Sequence, residues 1–255
     1  MWTLVNHTPN IWNVIGCQFV LQMKCGADGE VTRYKAQLVA QGFSQHKGID
    51  YSETFTPVIK LASLCVFLAI CTQHRWVIHQ MDIKSAYLNG SITEDIYMRQ
   101  LMGYKEKGSE TKVAKLQKGL YGLKQAGHEW YATLHDFLIQ ISFCHTHADQ
   151  CVFTFQRGKS TIIIPVYVDD KLLAGNDEHV LKLIQASIGA QFKTSDLGIV
   201  SWILGICQGM SQLQLHSNYC TVMTIGAVMR NRSLGMEAII TRYALQRAPN
   251  GCLIK

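Results

Sequence analysis

Residues 161–168 read Thr-Ile-Ile-Ile-Pro-Val-Tyr-Val and run directly into two adjacent acids, Asp169 and Asp170. A run this rich in β-branched and aromatic residues is a strand. Adjacent carboxylates do not belong inside one, because each needs water, a donor or a cation. Apolar residues resume at Leu172-Leu173-Ala174, so the chain is expected to turn at the acids and return as a second strand. Both carboxylates then stand at a tight corner. Val152–Phe155, set off by Gln156-Arg157-Gly158-Lys159-Ser160, predicts a further hairpin partner on the other side. Pro165 lies inside the first run and has no N–H, so it deletes a ladder bond unless that strand is at an edge.

The remaining pattern mixes helices and strands without regular alternation, which favours α+β over a doubly wound sheet. A helix is expected from Thr56, which can cap it, with Pro57 at the first helical position and Val58, Leu61, Cys65 and Leu68 at helical spacing. Trp76 to Asp82 reads as a strand that delivers Asp82 at its C-terminal end. A second helix fits about Gln125 to Ile141, with Ala126, Trp130, Leu134, Phe137 and Leu138 on one side. A third fits Glu178 to Ala190, opened by Asn176 and Asp177 as cap candidates. Trp202 to Ile206 and Leu213 to Leu215 suggest a small hairpin.

Composition narrows the class of protein. With 255 residues and 48% hydrophobic content, the chain can bury a substantial core, so it is not disordered as a whole. Nine cysteines at irregular spacing, with no CxxC pair, suggest neither a disulfide scaffold nor a zinc ribbon. The longest apolar stretch, Leu61 to Cys71, is too short to span a bilayer, and no signal peptide pattern opens the chain. An intracellular location, cytoplasmic or nuclear, is expected. Net charge is +6, from 24 Lys plus Arg against 18 Asp plus Glu. Arg99, Lys105, Lys107, Lys112, Lys115, Lys118 and Lys124 crowd into residues 99–124 against Glu106 and Glu110. Such a segment attracts a phosphate backbone or forms a solvated basic loop.

Asp82 at one strand end and Asp169-Asp170 at a neighbouring turn can converge on an oxygen-rich site of the kind magnesium prefers. Two metal ions there would lower the pKa of an attacking hydroxyl and stabilise a leaving group in phosphoryl transfer. An isolated Asp-Asp pair is equally an ordinary turn pair, so the surrounding residues decide.

Tyr167-Val168-Asp169-Asp170 resembles the YxDD signature of reverse transcriptases. Gln80-Met81-Asp82-Ile83-Lys84-Ser85-Ala86-Tyr87-Leu88-Asn89-Gly90 resembles the first catalytic motif of the copia branch, and Leu120-Tyr121-Gly122-Leu123-Lys124-Gln125-Ala126 with Trp130 resembles its next. Arg33 to Gly42-Phe43, Gly48-Ile49-Asp50-Tyr51, Asp196-Leu197-Gly198 and Ile203-Leu204-Gly205-Ile206 complete the series in order. Together they cover about residues 1–225, and several ordered motifs are far more specific than any one. The chain is thus similar to the polymerase domain of copia-type LTR retrotransposons, an RNA-directed DNA polymerase.

The resemblance implies a right-hand fold with fingers at about 1–75 and 91–119 and palm at about 76–90 and 120–225. Residues 226–255 form a divergent tail where the thumb is truncated or replaced. It implies Asp82, Asp169 and Asp170 as catalytic metal ligands, with the Ile83 carbonyl, for two Mg²⁺ ions that Mn²⁺ can replace. Tyr87 stands where an aromatic gate rejects a ribose 2′-hydroxyl, Gln125 and Lys35 where the incoming deoxynucleoside triphosphate is held, and Leu204 and Gly205 in the primer grip. Lys193 is a candidate proton donor. The implied partners are an RNA or DNA template with its primer. Gln37 where the family has Arg, Gly127-His128 where it has Pro-Arg, Leu101 where it has Pro, and Lys171 after the acids depart from the pattern. These departures keep open an inactive transposon relic retained as a nucleic-acid-binding or structural protein. Cys144, His145, His147, Asp149 and Cys151 are suitable ligand types for a zinc site, at a spacing that fits no familiar finger.

Overall fold

The computed structural model describes residues 1–200 except 12 and 26–29, and beyond them 202–203, 206–208 and 213–215. In chain order the strands and helices are β1 (Trp2–Val5), β2 (Val14–Ile15), β3 (Cys17–Cys25), β4 (Val31–Ala40), α1 (Leu61–His74), β5 (His79–Ile83), β6 (Tyr97–Arg99) and β7 (Val113–Leu116). They continue with α2 (Ala126–Gln140), β8 (Cys144–His145), β9 (Val152–Arg157), β10 (Ser160–Tyr167), β11 (Asp170–Gly175), α3 (Glu178–Gln191) and β12 (Thr194–Ile199). Last come β13 (Trp202–Ile203), β14 (Ile206–Gln208) and β15 (Leu213–Leu215). The expected mixed α+β composition is present. Among the described residues no helix is long and apolar enough to cross a membrane, and Cys17, Cys25, Cys65, Cys71, Cys144 and Cys151 are free thiols.

The chain divides into two compact units, Met1–Thr56 with Ser85–Asp136, and Pro57–Lys84 with Phe137–Lys255. These bounds differ from the expected fingers and palm segments, since α1 groups with the second unit and residues 85–90 and 120–136 with the first.

The first unit holds the sheet β1-β7-β6-β2 and the long two-stranded ribbon β3-β4. Its core gathers Ile15, Ala40, Ile96, Met98, Ala114, Leu116, Leu120, Leu123 and Ala126. Burying each large aliphatic side chain there contributes about 1.5–3 kcal/mol. The end of β4 is clasped by the segment before α2: the Ala40 N–H donates to the Tyr121 carbonyl at 2.8 Å. Gly122 turns the chain away at φ 89, and a Cβ there would collide with the Ala40 carbonyl oxygen. Both the left-handed backbone and the close approach demand glycine.

The second unit is built on a six-stranded sheet ordered β12-β5-β11-β10-β9-β8. The hairpin β9-β10 and the return strand β11 stand where the apolar runs put them. Pro165 proves to lie in an interior strand. Pairing with β11 lapses at Ile164 and Pro165 and resumes at Val166↔Lys171, while Pro165 still pairs with Val152 of β9. The missing N–H is thus accommodated on one side of the strand alone. In α3 the Asp177 carboxylate caps the first turn by accepting from Val180 N–H at 3.1 Å, as expected. The run 202–206 is divided between two paired strands, β13 and β14.

Helix α1 begins at Leu61, not after Thr56. The reason is tertiary. Lys60 stands in extended conformation at the N-cap, and its N–H donates to Asp149 Oδ2 at 2.9 Å, while its Nζ donates to the Ala148 carbonyl at 3.0 Å. A remote carboxylate therefore supplies the cap that local sequence assigned to Thr56. Asp149 is buried and also accepts from Cys151 N–H, which commits it to backbone donors rather than to a zinc ion. Among the described residues no cluster of three His, Cys, Asp or Glu is arranged to hold a metal.

Two stability effects are expected. Gly122→Ala should destabilise by about 2–4 kcal/mol through strain and collision, and Asp149→Ala by about 2–3 kcal/mol through loss of two charge-assisted bonds, one of them to the buried Cys151 N–H; chemical denaturation of each variant against wild type measures both.

Candidate active site

Within the second unit, register alone brings the acids together. β11 pairs antiparallel with β5 so that Asp170 lies opposite Asp82, and β10 pairs with β11 so that Tyr167 lies opposite Asp170. Val168 and Asp169 are therefore the two residues of a tight hairpin turn. Val168 takes φ 51, a strained conformation for a β-branched residue. The turn is tied to the neighbouring strand by the Ile83 N–H, which donates to the Asp169 carbonyl at 2.9 Å. Asp82 and Asp170 are thus paired across β5 and β11, Asp169 lies in the adjoining turn, and Ile83, next to Asp82, is buried.

Pleating separates the neighbours of these acids into two sets. Gln80, Asp82 and Asp170 share one face, and there the Gln80 side-chain amide donates to Asp170 Oδ1 at 3.3 Å. Met81, Val166 and Lys171 share the other, which is buried. Gln80 was not singled out in the sequence, although its position two residues before Asp82 in a strand is the signal that puts the two on one face.

Lys171 is the unexpected member. Its side chain is 1% exposed, and its Nζ donates to the carbonyl oxygens of Val168 and Asp169, both at 3.0 Å. Burial pushes the ammonium down to about 7, opposed by the negative charges of Asp169, Asp82 and Asp170. An Asp169 Oδ1 oxygen is itself shielded from solvent. Asp82, Asp169 and Asp170 are not arranged as they stand into a three-carboxylate metal cluster; their oxygen-only donor set suits a hard divalent cation by its chemistry alone, with the ammonium beneath the turn as an added charge.

On the other side of β5, Ser195 of β12 lies opposite Asp82 and Thr194 opposite Ile83. The exposed Lys193 is tied in through its backbone, its carbonyl accepting from Lys84 N–H at 2.8 Å. Leu204 and Gly205, like the tail 226–255, lie outside the described residues.

The other expected site residues belong to the first unit. Lys35 is half-buried on β4, opposite Gln22 of β3. Tyr87 lies on a short 3-10 turn, Ala86–Asn89, with its ring 4.9 Å from that of Tyr121. Gln125 departs from the expectation of a side chain open to a nucleotide. It is fully buried, its amide nitrogen donates to the Asp50 carbonyl at 2.7 Å, and its amide oxygen accepts from Gln45 at 3.1 Å. In this arrangement Gln125 organises the turn before α2, and Asp50 is in turn held by Asn13 and the His46 N–H. Of the basic segment, Lys115 pairs with Asp95 at 2.6 Å and Lys124 sits over the Tyr51 ring. Arg99, Lys105, Lys107 and Lys118 are exposed.

Residues 1–235 match the protein family described as "Reverse transcriptase (RNA-dependent DNA polymerase)". The Retrovirus-related Pol polyprotein from transposon RE1 of Arabidopsis thaliana is 40% identical over 205 residues, 80% of this chain and 14% of that protein. The corresponding polyprotein from transposon TNT 1-94 of Nicotiana tabacum is 38% identical over 74% of this chain and 14% of its own length. The Transposon Ty1-DR1 Gag-Pol polyprotein of Saccharomyces cerevisiae is 31% identical over 79% of this chain and 10% of its own. The chain therefore spans a small part of these relatives. With the family matched from end to end of the acidic sheet and beyond it, this chain belongs to the reverse transcriptase family, in the branch of copia-type transposon Pol polyproteins.

Proposed function

We propose that this chain is a polymerase domain that extends a primer on an RNA or DNA template by deoxynucleotidyl transfer, with fingers at about 1–75 and 91–119 and palm at about 76–90 and 120–225. The observation that carries the reading is the Asp82↔Asp170 register with Asp169 at the adjoining turn. In this reading Asp82, Asp169 and Asp170, with the Ile83 carbonyl, hold two Mg²⁺ ions, or Mn²⁺ in their place. Such ions when bound supply charge stabilisation and lower the pKa of the primer hydroxyl.

The protein's own contribution is alignment. The bond from Ile83 to Asp169 ties the turn to β5, and the Gln80 amide orients Asp170. By family resemblance Lys35 holds the triphosphate, where charge-assisted bonds are strong, and Tyr87 excludes the ribose 2′-hydroxyl. Gln125 serves the nucleotide by holding the segment before α2 in shape. Leu204 and Gly205 grip the primer, and Lys193 donates a proton to pyrophosphate. The exposed basic side chains between residues 99 and 118 attract the nucleic-acid backbone. Buried Lys171 favours a second reading, in which the domain binds nucleic acid without catalysis, as a transposon relic would.

Primer extension on a primed RNA template with Mg²⁺ and deoxynucleotides separates the two. Incorporation is expected, with Asp169→Asn lowering it on the order of a hundredfold or more; a folded wild type that binds the primed template without extending it would leave the non-catalytic reading. Tyr87→Ala should keep deoxynucleotide incorporation and raise use of ribonucleotides by about tenfold or more, since removing a steric block is worth at least one decade in discrimination. Unchanged discrimination would remove Tyr87 from that role.

A further inference from the structure

Three carboxylates at one corner of a sheet repel one another, and a fold that presents them needs a positive charge nearby. This chain carries one of its own. Lys171 is not a surface lysine that happens to lie close: its side chain is 1% exposed, and it occupies a position in an interior strand, opposite Met81 on one side and Val166 on the other. A buried ammonium must find acceptors or it would not stay buried. It finds the two carbonyls of the turn itself, Val168 and Asp169, each at 3.0 Å. They are the carbonyls of the strained residue itself, Val168 at φ 51, and of Asp169, the first of the paired acids. The ammonium therefore does two things, closing the turn mechanically and placing a positive charge under the acids.

Its placement matters. Alternation along β11 puts Asp170 on the face it shares with Asp82, and Lys171 on the opposite face. The ammonium thus approaches the turn from the buried face of the sheet. It acts through the protein interior, where charges are poorly screened.

We propose that Lys171 is a built-in counter-cation for the aspartate turn, so that this corner folds without a divalent metal and binds one weakly. The inference rests on the reading of Asp82, Asp169 and Asp170 as a metal site. Lys171 is a positioning residue in this role, because it reaches the site through the turn and through its charge.

The test uses the whole chain with Mn²⁺ alone as probe, following free Mn²⁺ by electron paramagnetic resonance and thermal unfolding by circular dichroism. Wild type should bind Mn²⁺ no tighter than about millimolar and unfold at a temperature that Mn²⁺ barely moves, since stabilisation follows the ratio of ligand to Kd. Lys171→Met, which keeps length and burial but not charge, should bind about tenfold tighter or more, unfold at a lower temperature without metal, and recover with it. Lys171→Leu should behave likewise, and Asp169→Asn added to either should abolish the gain. Equal affinity in wild type and both variants, lost on Asp169→Asn, would overturn the counter-cation while leaving the metal site standing. No Mn²⁺ binding in any of them would overturn both. Micromolar binding by wild type would overturn the proposal even if neither Lys171 variant folds.

Discussion

The antiparallel pairing of β5 with β11 is the constraint on which the site depends. A shift of one residue would carry Asp82 or Asp170 to the opposite face, because side chains alternate with a period of two. The bond from the Ile83 N–H to the Asp169 carbonyl and the pairing of Thr194 and Ser195 with Ile83 and Asp82 hold that register from both sides of β5. Buried Met81 and Ile83 alternate with Asp82, so slippage would expose apolar side chains as well as misplace the acid. Register and burial therefore protect the same geometry.

Carboxylates gathered in this way are costly, and the protein meets the cost from within its core. Lys171 joins the turn's carbonyls to a positive charge, while Gln80 steadies Asp170 from the outer face. Burial and the surrounding acids pull the ammonium's proton affinity in opposite directions, and burial wins, leaving it near 7. A strand residue that sequence patterning would assign to packing is thus an electrostatic element of the site.

Much of this was legible in the residues. The hairpin ending at Asp169-Asp170, the strand delivering Asp82, α2 with Trp130 and Leu134 inward, and the Asp177 cap of α3 each follow from local periodicity or local hydrogen bonding, which a single segment carries in itself. The family followed from the order of several such segments. Three features were not legible, for one shared reason. The start of α1 depends on Asp149, 89 residues away in the chain; the closure of Gln125 depends on Gln45 and Asp50; and the tolerance of Pro165 depends on which neighbouring strand faces its missing donor.

The amino-acid sequence by itself determined the chain's family, its mixed helix and sheet elements, and which acids are brought to a strand corner, because apolar periodicity and turn chemistry act over a few residues. Tertiary structure alone decided that Gln80 faces Asp170, that Gln125 is sealed in a buried network, and that Lys171 lies beneath the acids rather than in solvent. Those outcomes depend on register and burial between distant segments, where desolvation and hydrogen-bond partners are set by the fold and not by neighbours in the chain.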